Sequence, residues 1–228
     1  MNFEILDNHN IKYIVDYKRV KRMRLRFNKE AILVITYPLG CKQTSVNDFV
    51  EKNLNWILKN YELNRNKQLD YSNGGNQYVF GKRCQLIINY SRTRRVDLID
   101  DKILVSMNYN DDVQKVLFEW RMKLAEIAFN EILYKCFSQM TNSIKQYPKL
   151  VIKRSKTKWG CCYIKENKIM LNISLSQTPV KLIEYVVFHE LCHFIHPNHS
   201  KEFHNLLQKY IPNERIISKE LKKYQCYI

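Results

Sequence analysis

Histidines carry the strongest chemical signal in this sequence. Five of the six lie between His189 and His204, and His189–His193 reads H-E-L-C-H, the pattern H-E-x-x-H. On a helix, residues four apart differ by about 40° and one turn, so both imidazoles can bind one ion from the same face. Glu190, beside the first ligand, can take a proton from a water on that ion. The pattern predicts a metal site with Glu190 as its general base.

The third metal ligand has two candidates, His196 and His199. If the helix continues, His196 lies about 10.5 Å along its axis from His189, which is too far for metal–nitrogen bonds of about 2.0–2.1 Å. Pro197 disfavours a helical conformation at His196, and Asn198 tolerates the left-handed conformation that redirects a chain. The spacing therefore favours His199, ten residues after His189, and leaves His196 as the alternative.

The elements that must position these residues follow from hydrophobic periodicity. Thr178-Pro179 opens a predicted helix that runs to about His196, and its apolar residues bury it beside the ion. Before it come three short strands and a long helix from Asp111 to about Met140. The first hundred residues are mostly strands, with one helix over about 45–61. The pattern predicts an α+β fold, with an N-terminal antiparallel β-rich region over 1–109 and a second domain over 110–228.

Basic residues dominate the charge of the chain. Its 228 residues include 38 Lys and Arg against 22 Asp and Glu, so the net charge is +16. Arg22, Arg24 and Arg26 alternate with apolar residues, which places them on one face of a predicted strand. The simpler interpretation of this arginine face is a solvated surface. The functional one is a docking surface for a polyanion such as nucleic acid, whose binding would weaken steeply with salt.

The composition indicates a globular protein without membrane contact. Hydrophobic residues make up 45% of the chain, but no apolar run approaches the roughly 20 residues that span a bilayer. The N-terminus lacks a basic segment followed by an apolar core, so we expect a cytoplasmic protein. Seven scattered cysteines without a C-x-x-C pair are expected to be reduced and mostly buried. Cys161 and Cys162 are adjacent, which is a poor spacing for one tetrahedral ion.

Several motifs together resemble the YgjP-like (SprT-related) zinc metallopeptidase family. The chain has KTKWGCC at Lys156–Cys162, similar to the family's K-T-R-W-G-S-C strand, and Leu171-Asn172 is similar to its L-N-W segment. Tyr185–His193 resembles its Y-V-V-x-H-E-L-x-H helix, and Asn198-His199-Ser200 with Phe203 resembles its N-H-S-x-x-F. The resemblance covers most of the chain, and the combination of motifs is highly specific.

The resemblance implies a zincin-like catalytic domain with a long helix, a small sheet, the H-E-x-x-H helix and C-terminal helices. It implies that the metal, Zn²⁺ or another divalent transition metal, is bound by His189, His193 and His199. It also implies that Glu190 is the catalytic base and that a peptide or protein is the substrate.

A few positions depart from the family pattern or have two interpretations. Cys161 stands where the family usually has Ser, Lys158 where it usually has Arg, and His204 where it usually has Trp. We expect His204 to pack rather than to bind metal. The Trp159-Gly160 strand is either a core Trp with a close backbone approach beside the helix, or an edge strand that lines the cleft and pairs with an extended peptide.

Three functions compete at this stage. The leading one is a metal-dependent hydrolase of the peptidase type. The same chemistry at a phosphoanhydride would give a nucleoside triphosphate pyrophosphohydrolase, and basic residues near the motif suit an anionic nucleotide: Lys153, Arg154, Lys156 and Lys158. Sequence and fold do not choose between acyl and phosphoryl substrates. A nucleic-acid-binding module with a structural metal is least favoured, because three protein ligands beside a glutamate suit an open site.

Overall fold

The structure, a computed structural model, describes residues 3–28, 31–65 and 69–224, with the backbone alone at 62–65. The chain divides into two compact units, Met1–Gln68 and Leu69–Ile228. This division differs from the predicted boundary between residues 109 and 110. The strands between residues 76 and 107 fall in the second unit, because their buried side chains share a core with the helix that follows them.

The first unit is a three-stranded sheet packed against helices. Its elements are α1 (Glu4–Asp7), β1 (Tyr13–Lys18), β2 (Arg24–Phe27), β3 (Leu33–Pro38), α2 (Gln43–Lys52) and α3 (Leu54–Arg65). Leu33 and Ile35 of β3 share a buried core with Ile57 of α3. The helix predicted over about 45–61 is two helices, because the chain leaves α2 at Asn53, whose side-chain amide donates to the carbonyl oxygen of Phe49 (2.7 Å).

The second unit contains two sheets and four helices within its described residues. Its elements are β4 (Asn76–Val79), β5 (Lys82–Tyr90), β6 (Arg95–Ile99), β7 (Lys102–Met107), α4 (Val113–Ser138), β8 (Lys149–Lys153), β9 (Gly160–Tyr163), β10 (Lys168–Asn172), α5 (Val180–Cys192), α6 (Lys201–Tyr210) and α7 (Glu214–Leu221). One sheet has the order β4-β5-β7-β6 and the other β8-β10-β9. β9 therefore lies at the edge of its sheet.

The α+β class is confirmed, but the N-terminal strands are not all antiparallel as predicted. β1 runs parallel to β3, and β5 runs parallel to β7. β8 and β10 repeat the arrangement: in each triplet the third strand lies between the first two, parallel to the first and antiparallel to the second. Alternating side chains give the same sequence pattern in either pairing, so the pattern could not reveal the parallel pairs.

A buried arginine joins the long helix to the first hairpin of the second unit. Arg121 of α4 is only 2% exposed. Its guanidinium donates to the carbonyl oxygen of Tyr78 and to Oε1 of Gln77, both at 2.8 Å. Burial lowers the pKa of Arg121 to about 10, so the group stays charged at neutral pH. These bonds satisfy a charge that would otherwise be costly to bury.

The turn of that hairpin supports the segment that begins α5. The backbone N–H groups of Phe80 and Gly81 donate to the carbonyl oxygens of Ser176 (2.8 Å) and Gln177 (3.1 Å). Gly81 has a φ of +82°, and a Cβ there would lie 2.7 Å from Cγ of Pro179, directly before α5. Only glycine combines this conformation with so close an approach. The hairpin therefore helps to fix where α5 begins.

The largest core cluster surrounds α5. It contains side chains from α4, β10, α5, α6 and α7, and nine of the thirteen residues of α5 are buried. A helix that is apolar on nearly all sides is typical of the centre of a core. Over the described ranges, no helix combines the length and the apolar character needed to cross a membrane.

Candidate metal centre

α5 carries the first two histidines out of this core. The helix ends at Cys192, and His193 is its C-cap with helical dihedral angles of −66° and −20°. His189 and His193 therefore stay one turn apart, with ring centroids separated by 5.0 Å. The predicted helix end at about His196 is too late, because the chain leaves the helix after His193 and continues in a turn.

That turn brings the third histidine back to the first two. The backbone carbonyl oxygen of His196 lies 3.2 Å from Nδ1 of His193, which leaves Nε2 as the ligand atom of that ring. His199 then reaches His189, with 3.0 Å between their Nε2 atoms. The rings of His193 and His199 have centroids 4.8 Å apart. The reversal occurs in the stretch where Pro197-Asn198 predicts it.

The structure thus gathers His189, His193 and His199, whose ligand nitrogens all lie within 4.8 Å of one another. His189 and His193 are half-buried and His199 is exposed, so the group opens to solvent on one side. The His196 side chain does not belong to this group, and its backbone orients His193 instead. The geometry is the one that the spacing favours; metal binding by these residues stays a prediction.

Phe203 of α6 packs against all three imidazoles. Its ring centroid lies 5.0 Å from that of His189, 4.7 Å from that of His193 and 4.8 Å from that of His199. Nδ1 of His189 is buried and has no hydrogen-bond partner among the described residues, so packing fixes that ring. α6 begins directly after the turn, because the Ser200 side chain accepts from the N–H of Phe203 (3.4 Å) and caps it. The cap therefore helps to place Phe203 beneath the histidines.

Burial keeps the imidazoles of α5 neutral. Burial, together with the neighbouring His193, His199 and His204, lowers the pKa of His189 to about 3. Burial also lowers the pKa of His193, although the carbonyl oxygen of His196 opposes this shift. A neutral imidazole is the form that binds metal, so the pocket holds these two rings ready for a metal at neutral pH.

Glu190, the residue next to His189 on α5, packs against β9. Its side chain is buried, and the N–H of Cys162 donates to its carboxylate. Burial raises the pKa of Glu190 to about 7, while this hydrogen bond and the charge of Lys158 oppose the rise. The carboxyl group can therefore both hold and release a proton near neutral pH.

Asn172 holds the loop that precedes β9. It is fully buried, and its side-chain amide donates to the carbonyl oxygens of Ser155 (2.7 Å) and Lys158 (2.8 Å). Its Oδ1 accepts from the N–H of Ser174 (3.1 Å). One side chain therefore joins the loop carrying Lys158 to the segment leading into α5. The sequence singled out Asn172 only as part of a motif; its place at the end of a strand before a buried turn was the available signal.

His204 pairs with a carboxylate outside the three-histidine group. Its Nδ1 lies 2.9 Å from Oε1 of Glu214, which is only 5% exposed and also accepts from Gln208 (3.3 Å). His204 therefore lies outside the three-histidine group and is held by a carboxylate partner rather than by packing alone, and that it does not bind the metal stays a prediction. Sequence analysis missed Glu214, because nothing in the spacing links α6 to α7.

The remaining candidates lie on β9, on β2 and in the bend before β2. Cys161 and Cys162 of β9 are half-buried, and burial raises the pKa of the Cys162 thiol to about 12, so it stays protonated. Arg22, Arg24 and Arg26 are exposed in the first unit, as predicted, but β2 begins only at Arg24, so Arg22 does not belong to the strand. Docking of a polyanion on this arginine face stays a hypothesis.

The donors at the centre fit a divalent transition metal. Imidazole nitrogens suit zinc, copper, iron and nickel, and three histidines leave a further position for water or substrate, as in catalytic zinc sites. The two rings from α5 are neutral, and the group opens to solvent on the side of His199. These donors therefore fit an open metal site, with a position left for water or substrate, better than a closed structural one.

Comparison with known proteins identifies the family of the chain. The family described as "YgjP-like, metallopeptidase domain" matches residues 21–224. No curated protein matches the chain. A solved metallopeptidase zymogen, jannalysin of Methanocaldococcus jannaschii, is 26% identical over 41% of this chain and 91% of its own, with a TM-score of 0.37. The metallopeptidase zymogen abylysin of Pyrococcus abyssi is 19% identical over 42% of this chain and 93% of its own, with a TM-score of 0.38.

Proposed function

Because the chain belongs to the YgjP-like metallopeptidase family, we propose that it cleaves peptide bonds at a zinc ion, with Glu190 as the general base. Family membership makes it a metal-dependent hydrolase of the zinc-peptidase type. The finer statement concerns ligands and substrate: His189, His193 and His199 bind the ion, and the substrate is a peptide or protein.

One observation carries the proposal. Three imidazoles converge within 4.8 Å, and the residue next to the first of them is a buried carboxylate whose pKa burial raises to about 7. A purely structural metal site has no use for such a carboxylate. This also argues against the nucleic-acid-binding module with a structural metal.

The metal, Glu190 and the packed core have different roles in this reaction. Zinc, when bound, lowers the pKa of a coordinated water from about 15.7 toward 7 and polarises the scissile carbonyl. Glu190 accepts the proton of the attacking water and returns it to the leaving amine, a role that suits a group with a pKa near the working pH. Phe203 and the core around α5 keep water away from the buried side of the histidines.

β9 supports a way of binding the peptide. It is an edge strand, and within the described part of the chain its only strand partner is β10. An extended peptide that pairs with the free edge would lie beside Glu190, which already accepts from the Cys162 N–H on this strand. We therefore expect N-methylation of substrate amides near the scissile bond to weaken binding, measured as a rise in KM.

A nucleotide is the second candidate substrate, and one observation favours it. Four exposed cations lie between the end of β8 and the start of β9: Lys153, Arg154, Lys156 and Lys158. The last of them is close enough to Glu190 to lower the pKa of its carboxyl group. A triphosphate would meet this positive charge beside the general base. Hydrolysis of a phosphoanhydride would use the same histidines and Glu190.

Metal analysis followed by a substrate panel tests the proposal. The purified protein should contain about one zinc, and the panel should hold quenched fluorescent unstructured peptides and the four nucleoside triphosphates in one assay. We expect peptide cleavage that is lost in Glu190→Gln and after chelation. Pyrophosphate release without peptide cleavage would transfer the function to the nucleotide candidate. No hydrolysis by the zinc-loaded protein would contradict both.

A further inference from the structure

Gly160, the first residue of β9, has no room for a side chain. A Cβ at this position would lie 2.6 Å from Oε1 of Glu190, 2.8 Å from its Cγ and 2.9 Å from its Cδ. Real Cβ atoms do not approach other heavy atoms so closely, so the Glu190 side chain would have to move. All three nearest atoms belong to this one carboxylate side chain.

The backbone at Gly160 does not itself require glycine. Gly40, Gly74 and Gly81 have φ values of +80° to +85°, a conformation that other residues rarely adopt, but Gly160 lies outside that region. An alanine could therefore adopt the same backbone conformation in β9. What excludes it is the space taken by Glu190.

We propose that Gly160 is a positioning residue: its missing side chain leaves the space in which Glu190 lies against β9 and faces the reacting atoms. The N–H of Cys162, two residues along the strand, then holds the carboxylate at that place. Gly160 and Cys162 share a face of β9, because side chains alternate along a strand. The inference rests on the proposed function, in which Glu190 is the general base.

Two elements therefore determine the position of the Glu190 carboxylate. α5 supplies the backbone from which the side chain extends, and β9 supplies the surface on which the carboxylate rests. A general base that moves by about 1 Å can lose roughly 10²-fold in rate. A methyl group at Gly160 would force a movement of that size, because it conflicts with Cγ as well as with the carboxyl oxygen.

A stability cycle tests the contact without any assay of activity. Four full-length chains are compared by thermal unfolding in the presence of a chelator: wild type, Gly160→Ala, Glu190→Ala and the double variant. Alanine at 160 should lower the melting temperature by roughly 3–8 °C in the wild-type background, the range expected for an overpacked core site. In the Glu190→Ala background the three conflicting atoms are gone, so alanine at 160 should cost nothing.

An activity cycle then tests the positioning role. Zinc-loaded Gly160→Ala should keep its metal and its KM for the cleaved peptide but lose about 10²-fold in kcat. In the Glu190→Gln background it should cause no further loss. Cys161→Ala is the matched control, because it alters the other face of the same strand and should leave kcat unchanged.

The outcomes separate this inference from the function on which it rests. Full activity of Glu190→Gln would contradict the proposed function. With that function intact, the inference is overturned if Gly160→Ala keeps full kcat, if it loses zinc, or if it lowers the residual activity of Glu190→Gln further. Should Gly160→Ala fail to fold, folding of the Gly160→Ala/Glu190→Ala double variant would support the contact, and failure of both would refute it.

Discussion

Three histidines in the second unit and three arginines in the first make an instructive pair. Regular spacing in the sequence indicates both sets. The histidines are His189, His193 and His199, and the arginines are Arg22, Arg24 and Arg26. In the structure the histidine nitrogens converge within 4.8 Å beside buried side chains. The arginines stand along β2 and the residues before it, each of them exposed.

The difference lies in what the surrounding chain does for each set. A helix, a turn and a packed aromatic ring bring the histidines together, and burial fixes the protonation state of His189. Arg24 and Arg26 share a face of β2 only because side chains alternate along a strand, where residues two apart stay roughly 6.6 Å apart, and Arg22 lies in the bend before it. Shared spacing therefore becomes a site only where other elements make the side chains converge.

Removal of one of the three converging histidine side chains should have the largest effect. His199→Ala removes one of three ligand nitrogens, so zinc affinity should fall by more than the roughly 10–100-fold typical of changes to groups around the ligands. His196→Ala should keep its zinc, because its side chain lies outside the group and its backbone carbonyl remains. Competition with a fluorescent chelator measures both. Zinc loss in His196→Ala alone would transfer the ligand role to His196.

Glu190→Gln should have the next largest effect, on rate rather than on metal. The amide fills the same space but cannot accept the proton of the attacking water, so kcat should fall by about 10²–10⁴-fold with zinc content unchanged. Steady-state peptide cleavage and elemental analysis of the same samples check this. A parallel loss of zinc would show that Glu190 is itself a ligand.

The pH dependence of stability should distinguish the buried residues around the histidine site from the exposed arginine face. In metal-free protein the folded state holds a proton on Glu190 between pH 4.5 and about 7 that the unfolded chain releases, so rising pH lowers stability across this window. The integrated loss is on the order of 3 kcal/mol. Urea unfolding at several pH values should show that Glu190→Gln removes it. If the variant kept the same pH dependence of stability, this would contradict a raised pKa for the buried Glu190 carboxyl group.

At acidic pH, His189 has the opposite effect on stability from Glu190. The pKa of His189 is about 3 in the folded protein, against 6.5 for an unperturbed histidine. Between pH 6.5 and about 3 the unfolded chain therefore binds a proton that the folded state does not bind. Stability should therefore fall as pH is lowered toward 3. Between pH 4.5 and 6.5 the two groups oppose each other, which predicts a shallow maximum there. The variant in which all three arginines are replaced by alanine should show the same maximum.

That arginine variant should have the smallest effect. On an exposed face each substitution usually changes stability by less than about 0.5 kcal/mol, and we expect zinc content and kcat to be unchanged. Titration of a fluorescent single-stranded oligonucleotide at several salt concentrations checks for docking. Binding that falls steeply with salt, and falls again in the variant, would instead make the arginine face a polyanion-binding surface.

Local pattern was sufficient wherever one element carries the information. The H-E-x-x-H spacing predicts the histidine pair on the motif helix, and the alternation around Arg24 predicts the exposed face of β2. Each of these features depends on residues within about one turn or one strand. They needed no knowledge of which segments meet.

The parts that escaped prediction depend on segments that meet in space. The sequence offered a close approach of the Trp159-Gly160 strand to the helix as one of two interpretations, but not the contact of Gly160 with Glu190, thirty positions away. Asn172 likewise reaches back to Ser155 across seventeen positions. The parallel pairs of strands and the partner of His204 on α7 are of the same kind. A single sequence contains these residues but not their proximity, because packing of the whole core determines it.

The buried bridge from Arg121 also constrains the order in which the second unit can fold. Its partners lie 43 and 44 residues away along the chain, so a large loop must close before the guanidinium finds them. Burying α4 earlier would leave a charged group with five N–H donors unpaired in the core. We therefore expect the hairpin of β4 and β5 to dock on α4 in the same step in which the helix is buried. Substitutions at Arg121 should then slow folding as well as speed unfolding.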